Sequence, residues 1–293
     1  MIKEIDAKVL LSPNKKPSGW FGTNYLFNIY RGCEHRCIYC DSRSLCYKIE
    51  NFDELIVKRN AIELLRKELK GKRKKGTIGT GSMSDPYTIS EKKYSLTRGC
   101  LEAIAEYNFP VHITTKSNLI LRDIDLLEEI NKTYASVAIT ITTTNDALAK
   151  KIEPFAPSST DRFKALGVLA TIGICTSITM MPILPFIEDT EENILDIVEK
   201  ANYYGVKYIV PWLGMSLRDM QRYYYYEKLD ENFPGIREKY EKSFGNNYKC
   251  SARNMNKLWY LLSDACNKYG ISLKMPSYQS KISSVQLDFL DKL

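Results

Sequence analysis

The most restrictive feature of this chain is a sixfold alternation, between residues 25 and 211, of short β-branched or aromatic runs with amphipathic segments. Runs at 25–30, 77–81, 111–115, 134–142, 173–181 and 206–211 read as strands. The stretches at 52–70, 91–107, 123–131, 159–172 and 190–204 read as helices; in the first, Leu55, Ile56, Ile62, Leu65 and Leu69 recur at helical spacing before Gly71 stops the run. Strands alternating with helices at this spacing predict a parallel sheet, whose chemistry sits where the strands end. The informative positions are therefore strand exits.

A chain of 293 residues is long for one domain, yet α/β barrels use that much for a single core. Beyond Trp212 the pattern turns helical and tyrosine-rich (RYYYYEK at 222–228), with a final helix over 254–269. The expected organisation is a lead segment at 1–23, a barrel at 24–215 and a helical appendage at 216–293. With 44% hydrophobic and 26% charged residues, neither disorder nor a fibrous repeat is indicated. No apolar run approaches the roughly 18 residues of a membrane span, and MIKEIDAKVL lacks a basic region followed by an apolar stretch. The expectation is a cytoplasmic protein without a membrane span. The net charge of +7 comes partly from the GKRKKG run at 71–76, a solvated turn or, alternatively, a nucleic-acid contact.

Three of the eight cysteines lie within eight residues, in the order Cys33, Cys37, Cys40, directly after the first strand. This C-x3-C-x2-C spacing lets one short loop wrap three corners of an iron–sulfur cubane, leaving the fourth iron open to chelate a cofactor. The alternative is a zinc site closed by Cys46 or His35, but zinc sites commonly pair two C-x2-C units and no partner pair follows here. Cys46 is more simply a small apolar filler. Cys100, Cys175 and Cys266 sit in apolar settings and read as inert. Cys250 has polar neighbours and is the weak candidate for a reactive thiol at the barrel mouth.

At this loop the chain resembles the radical S-adenosylmethionine (radical SAM) superfamily, and YRGCEHRCIYC is similar to the branch related to spore photoproduct lyase. GTGSMSDPY at 79–87, VHITTKS at 111–117 and KIEP at 151–154 are further blocks typical of that branch. The resemblance implies an α/β fold, a partial (β/α)6 TIM-type barrel of the radical SAM type with a C-terminal helical appendage. It implies that Cys33, Cys37 and Cys40 hold a [4Fe-4S] cluster. An electron from that cluster would enter the sulfonium of S-adenosyl-L-methionine, giving methionine and a 5′-deoxyadenosyl radical that abstracts hydrogen from a substrate. The barrel mouth must then exclude water. A one-electron reductant such as flavodoxin or ferredoxin is the implied partner, with nucleic acid as a further one.

The same resemblance places Tyr39 near adenine, Ser84 and Asp85 near the methionyl amino group and ribose, and Lys116 on the methionyl carboxylate. Thr140 and Thr142 alternate with Ile139 and Ile141, which puts the threonines on one strand face where they could bond the ribose; plain β-propensity explains them equally well. Tyr39 is otherwise a loop-packing aromatic and Lys116 a solvated lysine. Met181 and Pro182 end the fifth strand and could line the adenine site or simply fill core.

In spore photoproduct lyase a cysteine on the second-strand loop returns hydrogen to the product, assisted by a tyrosine after the last cluster cysteine. Those places fall on Ser82 and Asp41 here. A hydroxyl O–H is too strong to donate a hydrogen atom to a carbon radical, and a carboxylate has none to give, so the relay is absent. Three readings follow: a radical SAM enzyme on a nucleic acid or nucleotide with a different hydrogen balance; one on a small metabolite or peptide; and a non-catalytic iron–sulfur or zinc nucleic-acid binding protein.

Overall fold

The structure, a computed structural model, describes residues 2–14, 21–49 and 51–278. Its centre is a sheet of six parallel strands in sequential order: β1 (Tyr25–Leu26), β2 (Ile78–Thr80), β3 (Val111–Thr115), β4 (Ala135–Thr140), β5 (Cys175–Met180) and β6 (Tyr208–Pro211). Ser12–Pro13 pairs antiparallel outside β1. Among the described residues β1 and β6 do not pair, so the barrel stays open, as a partial TIM-type fold.

The crossovers contain helices α1 (Ala61–Lys70), α2 (Leu96–Glu106), α3 (Ile124–Asn131), α4 (Ser159–Thr171) and α5 (Glu191–Tyr203). Local chemistry starts two of them. The Ser158 and Thr190 side chains accept the amides of Asp161 and Asn193, and acidic residues occupy both first turns, where the helix dipole favours them.

All six residues of β4 are buried, which a strand covered on both faces requires. Val137 and Ile139, with Ile141 just beyond, join the core under the helices, each contributing about 1.5–3 kcal/mol of burial. The alternate residues turn the other way: Ser136 bonds His112 of β3, and Thr140 bonds Thr179 of β5.

Several elements differ from the sequence expectation. Within 52–70, Leu55–Lys58 is a strand, parallel to Ile2–Ile5 and antiparallel to Tyr30–Arg31. Its buried and half-buried residues alternate with period two, so Leu55 and Ile56 belong to a strand and helix α1 starts only at Ala61. The 25–30 run likewise divides, Tyr25–Leu26 entering the barrel and Tyr30–Arg31 this smaller sheet. The 91–107 helix breaks at Ser95, whose φ of 50° separates Glu91–Tyr94 from α2.

Beyond the barrel lie α6 (Asp219–Asn232), α7 (Ile236–Phe244) and α8 (Met255–Tyr269). The segment is not wholly helical: Gly214–Ser216 and Lys249–Ser251 form an antiparallel ribbon. Helix α8 packs on α5 and places Leu258, Leu262 and Cys266 in the main core. Helices α6 and α7 build a separate cluster, in which Tyr225, Tyr226 and Tyr240 join Cys37, Ile38 and Tyr39 of the cysteine loop. Among the described residues no helix is long and apolar enough to cross a membrane.

Candidate active site

The cysteine loop leaves the small sheet through Gly32, whose φ of 81° and the 2.6 Å between an added Cβ and Glu54 O admit only glycine. The loop is then tied down from several sides. Ile38 N donates to Ile152 O at 2.9 Å and Phe155 N to His35 O at 3.3 Å. The Glu34 carboxylate accepts from Ser90 N at 2.7 Å and Ser90 Oγ at 2.9 Å, and Gln221 Nε2 donates to Tyr39 O at 2.9 Å.

Held this way, Cys33, Cys37 and Cys40 all face one cavity, with Ser82, Ser84, Asp85, Thr115, Lys116 and Thr140 from the strand exits on its other walls. Gly81 makes the close approach: at φ 96° its Cβ would lie 1.9 Å from Thr114 O. Burial raises the Cys37 and Cys40 thiols above their ordinary range, Lys116 opposing it. At Cys33 burial also acts upward but the neighbouring His35 outweighs it, so this thiol is lowered.

Among the described residues no three His, Cys, Asp or Glu side chains gather closely enough to enclose one metal ion. The proposed zinc ligands fare no better: His35 Nδ1 faces Asp85, and Cys46 is exposed. Three thiols facing one cavity are the soft donors that an iron–sulfur cluster takes.

Asp85 and Ser84 reach the cavity, yet their nearest partners are protein. Asp85 accepts from Thr115 Oγ1 at 2.6 Å, Lys116 N at 2.7 Å and Tyr87 N at 2.9 Å, and its Oδ2 lies 3.3 Å from His35 Nδ1. Burial would raise this carboxyl, but the His35 charge and these bonds hold it at about 2. His35 is disfavoured as a cation by burial, and Cys33 and Asp85 raise it to about 10. The carboxylate thus couples the exits of β2 and β3 to the cysteine loop. Ser84 Oγ donates to Tyr30 O at 2.6 Å.

Glu153 and Arg162, which the sequence reading did not single out, form a buried ion pair at the site. Both side chains are 1% exposed, and Arg162 Nη1 lies 2.5 Å from Glu153 Oε2. Tyr39 donates its hydroxyl to Glu153 Oε1, and Lys116 Nζ stands 4.0 Å from the same oxygen and 5.6 Å from the Tyr39 ring centroid. Burial raises Glu153, but Arg162 and Lys116 outweigh it and leave the carboxyl below its usual range. Tyr39 and Lys116, two expected cofactor contacts, are therefore brought together by one carboxylate. The only signal in the sequence was the KIEP block; nothing in helical periodicity marks Arg162.

Thr140 lines the cysteine cavity and also a second cavity of about 300 Å³ deeper among the strands, which Ser82, His112, Thr179 and Met181 help to wall. Thr142 is buried beside Glu188 and is not among the lining residues of either cavity. Ser82 lines both cavities. Asp41 is engaged elsewhere, with Arg218 Nη2 at 2.5 Å, Tyr47 OH at 2.8 Å and Ser216 Oγ at 3.0 Å, and so pins the C-terminal ribbon to the cysteine loop.

Cys250 is a correction. It was the weak candidate for a reactive thiol at the mouth, but it is 0% exposed in the tyrosine cluster, and burial pushes its thiol up to about 11. Lys249 and Ser251 face solvent, so the polar neighbours that suggested exposure are the outward half of a strand alternation.

The radical SAM superfamily model matches residues 27–201. An uncharacterized protein of Methanocaldococcus jannaschii is 34% identical over 244 residues, which are 82% of this chain and 85% of that protein. A Pseudomonas phage M6 protein described as radical SAM Nalpha-GlyT isomerase is 26% identical over 216 residues, 68% of this chain and 44% of its own length. Among solved structures, spore photoproduct lyase complexed with dinucleoside spore photoproduct superposes with a TM-score of 0.68 at 15% identity, over 92% of this chain and 81% of that one.

Proposed function

From the premise that the chain belongs to the radical SAM superfamily and is a radical SAM enzyme, we propose that it holds a [4Fe-4S] cluster on Cys33, Cys37 and Cys40 and acts on a nucleic acid or nucleotide. The observation that carries the reading is the single cavity shared by the three thiols and the strand-exit residues Ser82, Asp85, Lys116 and Thr140. When bound, the cluster and S-adenosyl-L-methionine supply reductive cleavage of the sulfonium and a hydrogen-abstracting 5′-deoxyadenosyl radical.

The chain's own residues bind, orient and enclose. Lys116 offers a half-buried ammonium for a carboxylate, with Glu153 fixing its place and Tyr39 beside it. Asp85 keeps the strand exits in register with the cysteine loop through His35. Thr140 and Ser82 stand where the cysteine cavity meets the deeper one, which is where a substrate would meet the cofactor.

The support for a nucleic-acid substrate is the fold shared with an enzyme bound to a dinucleoside photoproduct, together with the net charge of +7. The hydrogen balance differs from that enzyme's, because Ser82 and Asp41 provide no weak X–H bond and Cys250 lines neither cavity. A rearrangement returns the hydrogen it removes and needs no donor from the chain, which agrees with the isomerase name of the phage relative. The test is anaerobic turnover on deuterated DNA or RNA. Deuterium appearing in 5′-deoxyadenosine or in re-formed S-adenosyl-L-methionine supports the reading, whereas deuterium in neither, from either polymer, refutes the substrate class.

A further inference from the structure

An open groove of about 620 Å³ borders the cysteine loop, formed by segments that follow β2, β3 and β4. Lys92, Arg122 and Lys150 line it, and no carboxylate does. Glu91 and Asp123, the ion-pair partners of Arg122, are both fully buried, and Lys92 and Lys150 have no ion pair among the described residues, Lys150 Nζ donating only to Pro154 O at 2.5 Å. Between the cations lie Ile89 and Phe155, 44% and 50% exposed. Arg36 of the cysteine loop stands over the Phe155 ring at 5.4 Å, its charge shared with Asp53 Oδ1 at 3.7 Å, so among the described residues the unpaired cations of the groove are Lys92 and Lys150.

The groove and the cysteine cavity have one lining residue in common, His35, which is 2% exposed. A molecule seated in the groove is thus separated from the thiols by a wall. An electron is not, since it has only that imidazole ring and its loop to cross. An exposed aromatic and an aliphatic side chain ringed by cations have the composition of a protein interface and the charge to attract an acidic partner.

We propose that this groove is the docking surface for a small acidic one-electron carrier protein of the flavodoxin type. The proposal rests on Cys33, Cys37 and Cys40 being the cluster ligands. The carrier passes one electron, its flavin going from the anionic hydroquinone to the neutral semiquinone, and the cluster goes from the 2+ to the 1+ state. No proton or group crosses the wall. A nucleic-acid backbone would also meet the cations, but a substrate bound here would be cut off from the cavity where hydrogen is abstracted.

The test uses the reconstituted holoenzyme and two variants, Lys92→Glu combined with Lys150→Glu, and Phe155→Ser. Calorimetry measures flavodoxin binding at low and high salt. Bleaching of the cluster is followed with flavodoxin hydroquinone and, separately, with photoreduced deazaflavin, a small neutral reductant that needs no docking site. The charge-reversed variant is expected to bind flavodoxin about tenfold more weakly with a flattened salt dependence, and to be reduced by it about tenfold more slowly. Phe155→Ser is expected to weaken binding without altering the salt dependence. Deazaflavin reduction stays unchanged in both. Flavodoxin binding and reduction unaffected in both variants overturn the proposal, as does a loss of DNA affinity alone. Binding is read whether or not the cluster assembles, so a cluster that fails to form defeats the functional reading and leaves the docking result separate.

Discussion

Replacing Glu153 by Gln keeps the shape of the side chain and removes the charge that Arg162 and Lys116 share. Arg162 would retain its bonds to Thr140 O at 3.0 Å and Pro157 O at 2.9 Å but would lose its carboxylate at 1% exposure, where water cannot replace it. Removing one partner of a buried ion pair costs about 3–5 kcal/mol. Lys116 loses its anion as well, which places the expected loss at the upper part of that range. Urea unfolding under anaerobic conditions measures it as a fall in the midpoint with little change in slope. Pairing Glu153→Met with Arg162→Met removes both charges, and that double variant is expected to be more stable than Glu153→Gln. A loss below about 0.5 kcal/mol for Glu153→Gln, or a double variant no better than the single, would refute the claim that this pair is a closely coupled buried unit.

Lys116→Ala is expected to weaken S-adenosyl-L-methionine binding by roughly 10- to 150-fold, the worth of one charge-assisted contact of about 1.5–3 kcal/mol; an unchanged dissociation constant removes the lysine from the site. His112 is fully buried, and burial lowers it to about 3 from an unfolded value of 6.5. Its folded pKa lies below the unfolded one, so the stability it contributes is complete above pH 6.5 and is lost as pH falls toward 3. Between pH 6.5 and 5 the wild type should lose about 1.6 kcal/mol more than His112→Gln in urea titrations, and parallel pH profiles would contradict this. Spore photoproduct should not be repaired efficiently, because positions 41 and 82 carry Asp and Ser. An anaerobic assay on the dinucleotide photoproduct should show no wild-type turnover and a trace with Ser82→Cys; wild-type turnover on the order of 1 s⁻¹ would show the relay argument to be wrong.

Much of this architecture was legible in the sequence because a buried parallel sheet writes itself as β-branched runs, and Val137, Ile139 and Ile141 fall where alternation places them. The cysteine loop was legible because ligand spacing along one loop is local. What escaped depends on contacts between distant segments. Leu55 and Ile56 fit a helical period as well as a strand, and only pairing with Ile2–Ile5 decides between them. Glu153 and Arg162 are ordinary residues until the fold buries them against Tyr39 and Lys116. Cys250 was raised as a weak candidate because its polar neighbours Lys249 and Ser251 say nothing about which way the middle residue of a strand points.

The most direct measurement of the central claim is the iron content and the reduced-state electron paramagnetic resonance of anaerobically reconstituted protein, with and without S-adenosyl-L-methionine. The account predicts about four irons per chain, a reduced-cluster signal that changes when S-adenosyl-L-methionine is added, and loss of both iron and signal in Cys33→Ala, Cys37→Ala and Cys40→Ala. Tightly bound zinc, with no cubane signal under any reconstitution, would contradict it.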